Sequence, residues 1–421
     1  MSIIPQKVCD FISRQWVQWR DVASTSGVDG LKMALGIVTG ILTARLLLPE
    51  GKGELTAVLL WYGLFSNVGN VGMPHAVIYY SGQYEDEVGT AYGTAAFIGL
   101  LQGSLVAVAG FISIEYILHS YRENVISISQ TFFLLAPVFF VGGYSKRCVQ
   151  GMGHFLLWNI IRLSQPLIYC SSIVLLWIVG FVNVTNVLIG YIFSQICLLV
   201  LAGGYMFMRV RRLRVDRSLL RDYLSYGSRN WLASMAGQAN ARLDQAIIST
   251  VLSAESLGLY RIATSATRPI QTISRGFSRV ILSEVSRSEE GGHRRIKRYL
   301  SVAAGLLLFA ALVGVLALPY VLPFVFGAEY TSAIPSAQIL CAASAVMGMK
   351  SILYNGIRGM GHPEYPLIGE VSSLAVTGGG LWLLLPWLGI EGAAIASLLA
   401  YGAASLVVYE LGLRRRAVKV S

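Results

Sequence analysis

Long apolar runs separated by short polar links cover nearly the whole chain. Twelve of these runs are long enough for the roughly 20 residues that a helix needs to cross the hydrocarbon core of a bilayer. The predicted spans are 28–48, 55–80, 89–113, 126–147, 155–180, 186–208, 223–251, 258–284, 299–322, 335–356, 366–386 and 389–412. The pattern predicts an all-α polytopic membrane protein with about twelve transmembrane helices.

The composition supports this fold class and excludes several functions. Of 421 residues, 55% are apolar and 13% charged, whereas soluble domains carry roughly 25% charged residues. No HExxH, P-loop or GxSxG motif is present, so we expect no enzymatic activity. The five cysteines lack metal-ligand spacing, and we expect neither a metal nor a cofactor.

The basic residues of the links indicate the orientation. In a twelve-span topology they collect on one side, together with Lys146 and Arg147, while the links 181–186 and 327–334 on the other side are almost free of Lys and Arg. The positive-inside rule makes the basic side cytoplasmic, with both termini there. It also accounts for the net charge of +11 without a nucleic-acid partner. The basic clusters are Arg209, Arg211, Arg212, Arg214, Arg217 and Arg221; Arg287, Arg294, Arg295, Lys297 and Arg298; and Arg414, Arg415, Arg416 and Lys419.

The domain organisation follows from the same pattern. Residues 1–24 alternate basic and aromatic or aliphatic side chains, which is typical of an amphipathic segment at the cytoplasmic interface. We expect two six-helix lobes, 25–210 and 211–412, followed by a basic cytoplasmic tail, 413–421.

Two pairs of segments indicate that the lobes are repeats. Gln150–His154 (QGMGH) nearly duplicates Arg358–His362 (RGMGH), and Pro49–Leu55 is echoed more faintly by Ala254–Tyr260. The offsets, 208 and 205 residues, agree on one register, and each pair lies at the same topological station. An even number of spans per half makes the repeats parallel, an arrangement in which transporters hold substrate between the halves.

Five segments together resemble a known family. They are Ala44–Leu55, Gly72–Pro74, Asn240–Asp244, Leu322–Tyr330 and Gly389–Ser397. In this order they are similar to the polysaccharide-biosynthesis flippases of the multidrug/oligosaccharidyl-lipid/polysaccharide exporter superfamily. The resemblance spans about 28–412, with Leu48 standing where a glycine is common.

The resemblance implies a function and its partners. Members of the family move undecaprenyl-pyrophosphate-linked oligosaccharide units from the cytoplasmic to the outer leaflet of the bacterial inner membrane, for O-antigen, capsule or exopolysaccharide. The expected partners are therefore the carrier-linked glycan, the lipid bilayer and polysaccharide polymerase or assembly proteins. The position of a lateral gate and the oligomeric state are left open.

Four arginines of the eighth predicted span share one helical face. Arg261, Arg268 and Arg275 are seven residues apart, and Arg279 follows four later, so all four fall on one stripe of a continuous helix. A charge within the hydrocarbon costs roughly 2.5–3.5 kcal/mol, which calls for a cavity, a partner or a function. The guanidinium fork suits phosphate, and we hypothesise a cationic cavity that receives the pyrophosphate. Arg261 and Arg279 have the alternative of snorkelling at the span ends.

Other charged residues within spans extend the hypothesis. Arg242, Arg162 and Lys350 are candidates for the cationic wall. Candidates for coupling to an H⁺ or Na⁺ gradient are Asp244, Glu370 and His75. Asp244 has the alternative of neutralising an arginine of span eight, and His75 that of a hydrogen-bonded structural histidine. His154 and His362 are expected in helix-ending turns rather than at a metal, since two histidines make a poor ligand set.

Three other functions are compatible with such a chain. A cation-coupled multidrug exporter of the same fold would carry acidic residues at mid-span, whereas the charges here are mainly basic. A flippase for the peptidoglycan lipid precursor also moves an anion, but such proteins usually have two further spans. A membrane glycosyltransferase or polymerase would need catalytic acids and large outer loops, and these loops are short.

Overall fold

The computed structural model describes residues 6–84, 87–210, 212–287 and 292–414, and all regular structure in them is helical. The helices are α1 (Gln6–Gly69), α2 (Met73–Gln83), α3 (Val88–Ile117), α4 (Glu123–Leu134), α5 (Ala136–Gly151), α6 (Phe155–Val179), α7 (Val184–Arg209), α8 (Arg217–Asn240), α9 (Leu243–Val251), α10 (Ala254–Ala266), α11 (Arg268–Ser286), α12 (Gly292–Phe326), α13 (Ile334–Gly359) and α14 (Glu364–Tyr409). A 3₁₀ helix, Ala328–Ala333, precedes α13, and a π-helical turn, Glu410–Arg414, follows α14. The side chains of residues 1–20, which make up most of the predicted amphipathic segment 1–24, and residues 415–421 of the basic tail lie outside the described residues.

The all-α polytopic prediction is confirmed. Among the described residues, seven helices are long and apolar enough to span a membrane, or eight if the bent pair α4–α5 is one span. Two of these stretches, 21–69 and 364–414, run for 49 and 51 residues and are interrupted by kinks at Leu48 and Gly389. In chain order, each of the twelve predicted spans corresponds to one helix, to part of one, or to a broken pair.

The sequence pattern misses several breaks. The seventh predicted span is two helices, α8 and α9, separated at Ala241–Arg242. The eighth is divided at Thr267 into α10 and α11, because Pro269 in the first turn of α11 cannot continue the hydrogen bonding of α10. A single continuous helix for span eight is therefore wrong, and Arg261 does not share a helix with the other three arginines. In contrast, the expected link at 49–54 is no loop but a kink inside α1.

The chain forms two compact units. Unit 1 comprises residues 1–46 and 62–231, and unit 2 comprises 47–61 and 232–421. In unit 1, α5 lies at the centre and packs against α2, α3 and α7. In unit 2, α13 packs against α10, α11, α12 and α14. The two central helices are those that precede the duplicated Gly-Met-Gly-His segments.

The duplicated segments form the same turn. Gly153 and Gly361 have left-handed φ values of 74° and 84°. The backbone N–H groups of His154 and His362 donate to the carbonyls of Val149 and Ile357, five residues earlier. This is the Schellman ending of a helix, in which glycine accepts the left-handed conformation that other residues resist. The expectation of a glycine-terminated turn at both stations is confirmed.

A side-chain cap begins α8, which follows the basic link. Asp216 Oδ1 accepts hydrogen bonds from the Ser218 hydroxyl at 2.5 Å and from the N–H groups of Ser218 and Leu219 at 2.7 and 3.1 Å. These bonds hold the pKa of the Asp216 carboxyl below its ordinary value, and the bond from the Ser218 hydroxyl has the largest effect. The cap fixes the point at which the chain re-enters helix after the link.

Leu48 occupies a strained conformation, with φ 59° and ψ 175°. This region is essentially reserved for glycine, and another residue there costs of order 1–3 kcal/mol. The side chain is 51% exposed, so little apolar burial offsets the strain. Leu48, which stands where the family commonly has a glycine, therefore lies at a position whose backbone conformation disfavours any residue with a Cβ atom.

Replacing this residue tests the strain. Leu48→Gly is expected to stabilise the protein by about 1 kcal/mol, since strain relief exceeds the added entropy of the unfolded chain. Thermal unfolding of the purified protein in detergent measures the change, with the equally exposed Leu31→Gly as a control that should destabilise. A melting temperature for Leu48→Gly at or below that of the wild type contradicts the assignment of strain.

Candidate functional site

Two repeat-related glycines bring α1 and α10 together in unit 2. A Cβ added at Gly53 would overlap the carbonyl oxygen of Ala254, and one added at Gly258 would overlap that of Pro49. Only glycine allows the two backbones to approach this closely. The faint echo between 49–55 and 254–260 therefore marks a reciprocal contact as well as a repeat.

This contact places Lys52 beside the arginines. Lys52 is buried, with 8% of its surface exposed, and Arg261 and Arg268 act on it electrostatically. Arg261 in turn lies near Arg268 and Arg242, and Arg268 lies near Arg275. Unit 2 thus contains a row of cations, each within electrostatic range of the next, that begins at Lys52 on α1 and continues along α10 and α11.

The arginines of α11 lie on its exposed face. Arg268, Arg275 and Arg279 are exposed. The opposite face of α11 is buried and packs against α12 and α13; it comprises Ile270, Ser274, Ser278, Ile281 and Val285. Three of the four predicted stripe arginines therefore share one face of α11. The fourth, Arg261, lies on the separate helix α10.

Asp244 is a buried anchor of unit 2, and Arg242 is exposed beside it. The carboxylate accepts a hydrogen bond from the Tyr260 hydroxyl at 2.6 Å and from the N–H of Gln245 at 2.7 Å. Asp244 also lies within electrostatic range of Arg261. This carboxylate ties α9 to α10 and offsets part of the charge of the cation row.

Lys350 and Glu370 form a buried ion pair instead of lining an open cationic wall. Lys350 Nζ lies 2.9 Å from Glu370 Oε1, and the two side chains are only 8% and 17% exposed. Asn240 Nδ2 donates to the other carboxylate oxygen at 2.7 Å. Three elements, α8, α13 and α14, are therefore joined through a single carboxylate. The rings of Tyr354 and Tyr401 each lie 5.2 Å from the ammonium.

A cavity of about 200 Å³, lined by both polar and apolar groups, opens beside this pair. Its lining includes Asn240, Lys350, Tyr354, Arg358, Glu370 and Tyr401. Two buried lining atoms, Asn240 Oδ1 and the Tyr354 hydroxyl, have no hydrogen-bond partner among the described residues. A cavity of this size and polarity accommodates several waters, which would satisfy both atoms.

The remaining predicted residues lie elsewhere. Arg162 belongs to unit 1, where its Nη2 binds Asp29 Oδ1 at 2.6 Å. His75 is exposed on α2. His154 Nδ1 contacts the Tyr205 hydroxyl at 2.7 Å, and His362 Nδ1 contacts Glu364 at 2.9 Å. Among the described residues, no three His, Cys, Asp or Glu side chains are grouped to hold a metal.

Sequence reasoning missed two members of these sites. Lys52 lies in the Ala44–Leu55 motif. It comes close to the arginines only because the adjacent Gly53 lets α1 contact α10. Asn240 precedes the break between α8 and α9 and has no charge to attract notice. The available signal was its position in the motif Asn240–Asp244.

The ion pair in unit 2 allows a direct test. Lys350→Met leaves Glu370 buried without its cation and is expected to destabilise the protein by about 3 kcal/mol. The double variant Lys350→Met/Glu370→Gln should recover most of this loss, because no uncompensated charge remains. Chemical or thermal unfolding of the purified variants measures the coupling. Additive losses in the double variant would contradict the pairing.

Comparisons with known proteins agree with this fold. Residues 42–335 match the model of a family of polysaccharide biosynthesis proteins. An uncharacterized membrane protein in the cps region of Klebsiella pneumoniae is 22% identical over 391 residues, covering 90% of this chain and 78% of that protein.

Solved structures share the architecture at low identity. An inward-facing multidrug resistance MATE family transporter of the MOP superfamily has a TM-score of 0.71 at 15% identity, covering 93% of this chain and 96% of its own. The lipid II flippase MurJ in an inward closed conformation has a TM-score of 0.70 at 12% identity, covering 94% and 87%. The fold is therefore of the MOP type, and the resemblance drawn from the sequence is confirmed. Since the family model matches most of the chain, the protein belongs to this family of polysaccharide biosynthesis proteins.

Proposed function

We propose that the protein is a flippase that moves an undecaprenyl-pyrophosphate-linked oligosaccharide from the cytoplasmic to the outer leaflet of the bacterial inner membrane. The row of cations from Lys52 through Arg261 and Arg268 to Arg275 is the observation that carries this proposal. Membership of a polysaccharide biosynthesis family and the MOP-type fold support it. The product would supply O-antigen, capsule or exopolysaccharide synthesis, with polymerase or assembly proteins as downstream partners.

The cost of charge in a membrane explains why the exposed arginines favour an anionic substrate. Each charge facing hydrocarbon costs roughly 2.5–3.5 kcal/mol on insertion scales. Arg268 and Arg275 lie on the exposed face of α11 rather than within the packing of unit 2. A face of this kind is stable against a water-filled space, where guanidinium groups bind phosphate through parallel hydrogen bonds. Alternating access would then carry the bound anion from one side to the other.

A cation-coupled multidrug exporter is the weaker alternative for this fold. Such a protein requires a free acidic group for its cationic substrates. Asp244 is occupied by Tyr260 and Gln245, and Glu370 is occupied by Lys350 and Asn240. The peptidoglycan lipid precursor is also anionic, so a transport assay should offer both classes of carrier-linked glycan.

Charge reversal tests the cation row. Arg268→Glu/Arg275→Glu is expected to reduce flipping in proteoliposomes by at least about 100-fold, since two attractive contacts become repulsive. The protein should still be inserted and folded, because both side chains are exposed. Arg287→Glu, just beyond the end of α11, is the matched control and should retain transport. Normal flipping by the double variant would exclude the row as the anion site.

We propose further that a proton gradient, rather than sodium, drives the cycle through Glu370. Both carboxylate oxygens of Glu370 already accept hydrogen bonds, from Lys350 and from Asn240, so an ion would have to displace these partners. A proton needs no coordination shell and would displace only Lys350, whose side chain lines the adjoining cavity. Because Asn240, Lys350 and Glu370 lie on three different helices, loss of the pair would loosen their packing.

Gradient measurements test the coupling. Flipping by the wild type is expected to respond to an imposed pH gradient and not to a sodium gradient at constant pH. Glu370→Gln should abolish the response to pH while retaining downhill exchange, and Glu364→Gln, an exposed acid at the start of α14, is the control. Stimulation of the wild type by sodium alone would overturn the assignment.

A further inference from the structure

Unit 1 contains a second group of cations, formed where α1, α5 and α6 meet. Its members are Lys32 on α1, Lys146 and Arg147 on α5, and Arg162 on α6. Arg147, Lys32 and Arg162 all act electrostatically on Lys146. Arg162 and Arg147 act likewise on Lys32, and the carboxylate of Asp29 acts on it with the opposite sign. Within this described group, four cations and one carboxylate leave an excess of three positive charges. We name this group the α1–α5–α6 cluster.

The fold holds Arg162 firmly at the centre of the cluster. Its Nη2 donates to Asp29 Oδ1 at 2.6 Å and to the Thr25 carbonyl at 3.0 Å. The guanidinium carbon lies 4.3 Å from the ring centre of Trp158. Asn159 Nδ2 donates to the hydroxyls of Ser24 and Thr25, which ties α6 to α1 beside it.

This arrangement leaves donors without acceptors. The Arg162 side chain is only 9% exposed, and its buried Nε has no hydrogen-bond partner among the described residues. Arg147 Nη1 donates to Gln150 Oε1 at 3.0 Å rather than to an acid. A buried donor without an acceptor costs roughly 1–3 kcal/mol, so the site is incomplete without an anion or water. Oxygen atoms of a phosphate would satisfy the guanidinium and the two ammonium groups together.

Apolar side chains beside the cluster indicate how such a phosphate is carried. Leu156 and Ile160 on α6 are 67% and 55% exposed, and Leu31 and Met33 on α1 are 49% and 52% exposed. These residues lie within two turns of Asn159 and Arg162 or next to Lys32 in the chain. A phosphate joined to a hydrocarbon chain would place its head group on the cluster and its tail along this surface. A diphosphate, which carries more negative charge than a phospholipid phosphodiester, matches the excess of positive charge better.

We propose that the α1–α5–α6 cluster is a binding site for the diphosphate head of a polyprenyl carrier, separate from the cation row of unit 2. Lys146 and Arg147 lie near the end of α5, and Arg162 lies in the second turn of α6. The positive-inside rule predicts that this side is cytoplasmic. The site would therefore load the carrier-linked substrate before transport. The identity of the carrier rests on the proposed function, whereas the binding of a lipid-borne diphosphate does not.

Binding by the purified full-length protein in detergent tests the site, with farnesyl diphosphate as the probe. Lys32→Gln/Lys146→Gln removes two cations that have no hydrogen-bonded partner among the described residues. The expected result is a rise in Kd of about tenfold or more, the value of one charge-assisted contact. Arg209→Gln, which removes an exposed cation of unit 1 at the end of α7, should leave Kd within about twofold. An unchanged Kd in the double variant overturns the proposal.

Two further ligands, phosphatidylglycerol and inorganic pyrophosphate, distinguish a polyprenyl diphosphate from other phosphate compounds. If the double variant loses affinity for phosphatidylglycerol but not for farnesyl diphosphate, the cluster is a phospholipid site and the proposal fails. If inorganic pyrophosphate binds the wild type as tightly as farnesyl diphosphate does, the claim of a lipid-borne ligand fails. Should the double variant not fold, photocrosslinking of a diphosphate analogue to the wild type decides, with labelling of 24–36 or 143–165 expected and labelling elsewhere contradicting the site.

Flipping assays on the same preparations keep the two proposals distinct. If the wild type flips carrier-linked glycan but the double variant binds farnesyl diphosphate as tightly as the wild type, the proposed function stands and the proposed site is contradicted. If the wild type flips no such glycan but binds farnesyl diphosphate through Lys32 and Lys146, the proposed site stands and the proposed function is contradicted.

Discussion

The reciprocal contact between Gly53 and Gly258 is the constraint on which unit 2 depends. It allows a segment of the first half of the sequence, 47–61, to pack into a unit otherwise built from the second half. Because the two backbones touch, no side chain separates them and Lys52 is brought to the arginines of α10 and α11. A packing requirement thus determines the electrostatics of the candidate site. The kink at Leu48, with its strained backbone, turns the chain into this contact.

The charges in the membrane-spanning region are handled in three different ways. Asp244 and the Lys350–Glu370 pair are buried, and their carboxylates accept hydrogen bonds that join neighbouring helices. The arginines of α11 lie on an exposed face, and their side chains have no hydrogen-bonded partner among the described residues, which suits groups that meet a ligand. The α1–α5–α6 cluster combines both, since Arg162 is fixed by Asp29 and Trp158 while its neighbours Lys32 and Lys146 are not.

The duplication conserves scaffold and not chemistry. Both halves end their central helix, α5 or α13, in the same glycine-dependent turn, with the same bond from His154 or His362. The chemistry nearby differs, because α5 contributes cations to unit 1 while α13 contributes Lys350 to an ion pair in unit 2. The two units therefore share a helix-ending turn while differing in the charged groups beside it.

The sequence by itself determined the helical class, the approximate spans, the repeat and the family, because these follow from periodicity, run length and short motifs along the chain. It also located most of the charged residues that matter, since a charge inside an apolar run is conspicuous. Only the tertiary structure decided which of these residues become neighbours. Lys350 and Glu370 are twenty residues apart, Arg162 and Asp29 are separated by most of unit 1, and Lys52 meets Arg261 through a glycine contact. The breaks at Thr267 and Ala241 also escaped prediction, because the hydropathy of a run does not register where a helix inside it is interrupted. Pro269 causes the first break, and neighbouring helices can satisfy the backbone groups that such a break frees.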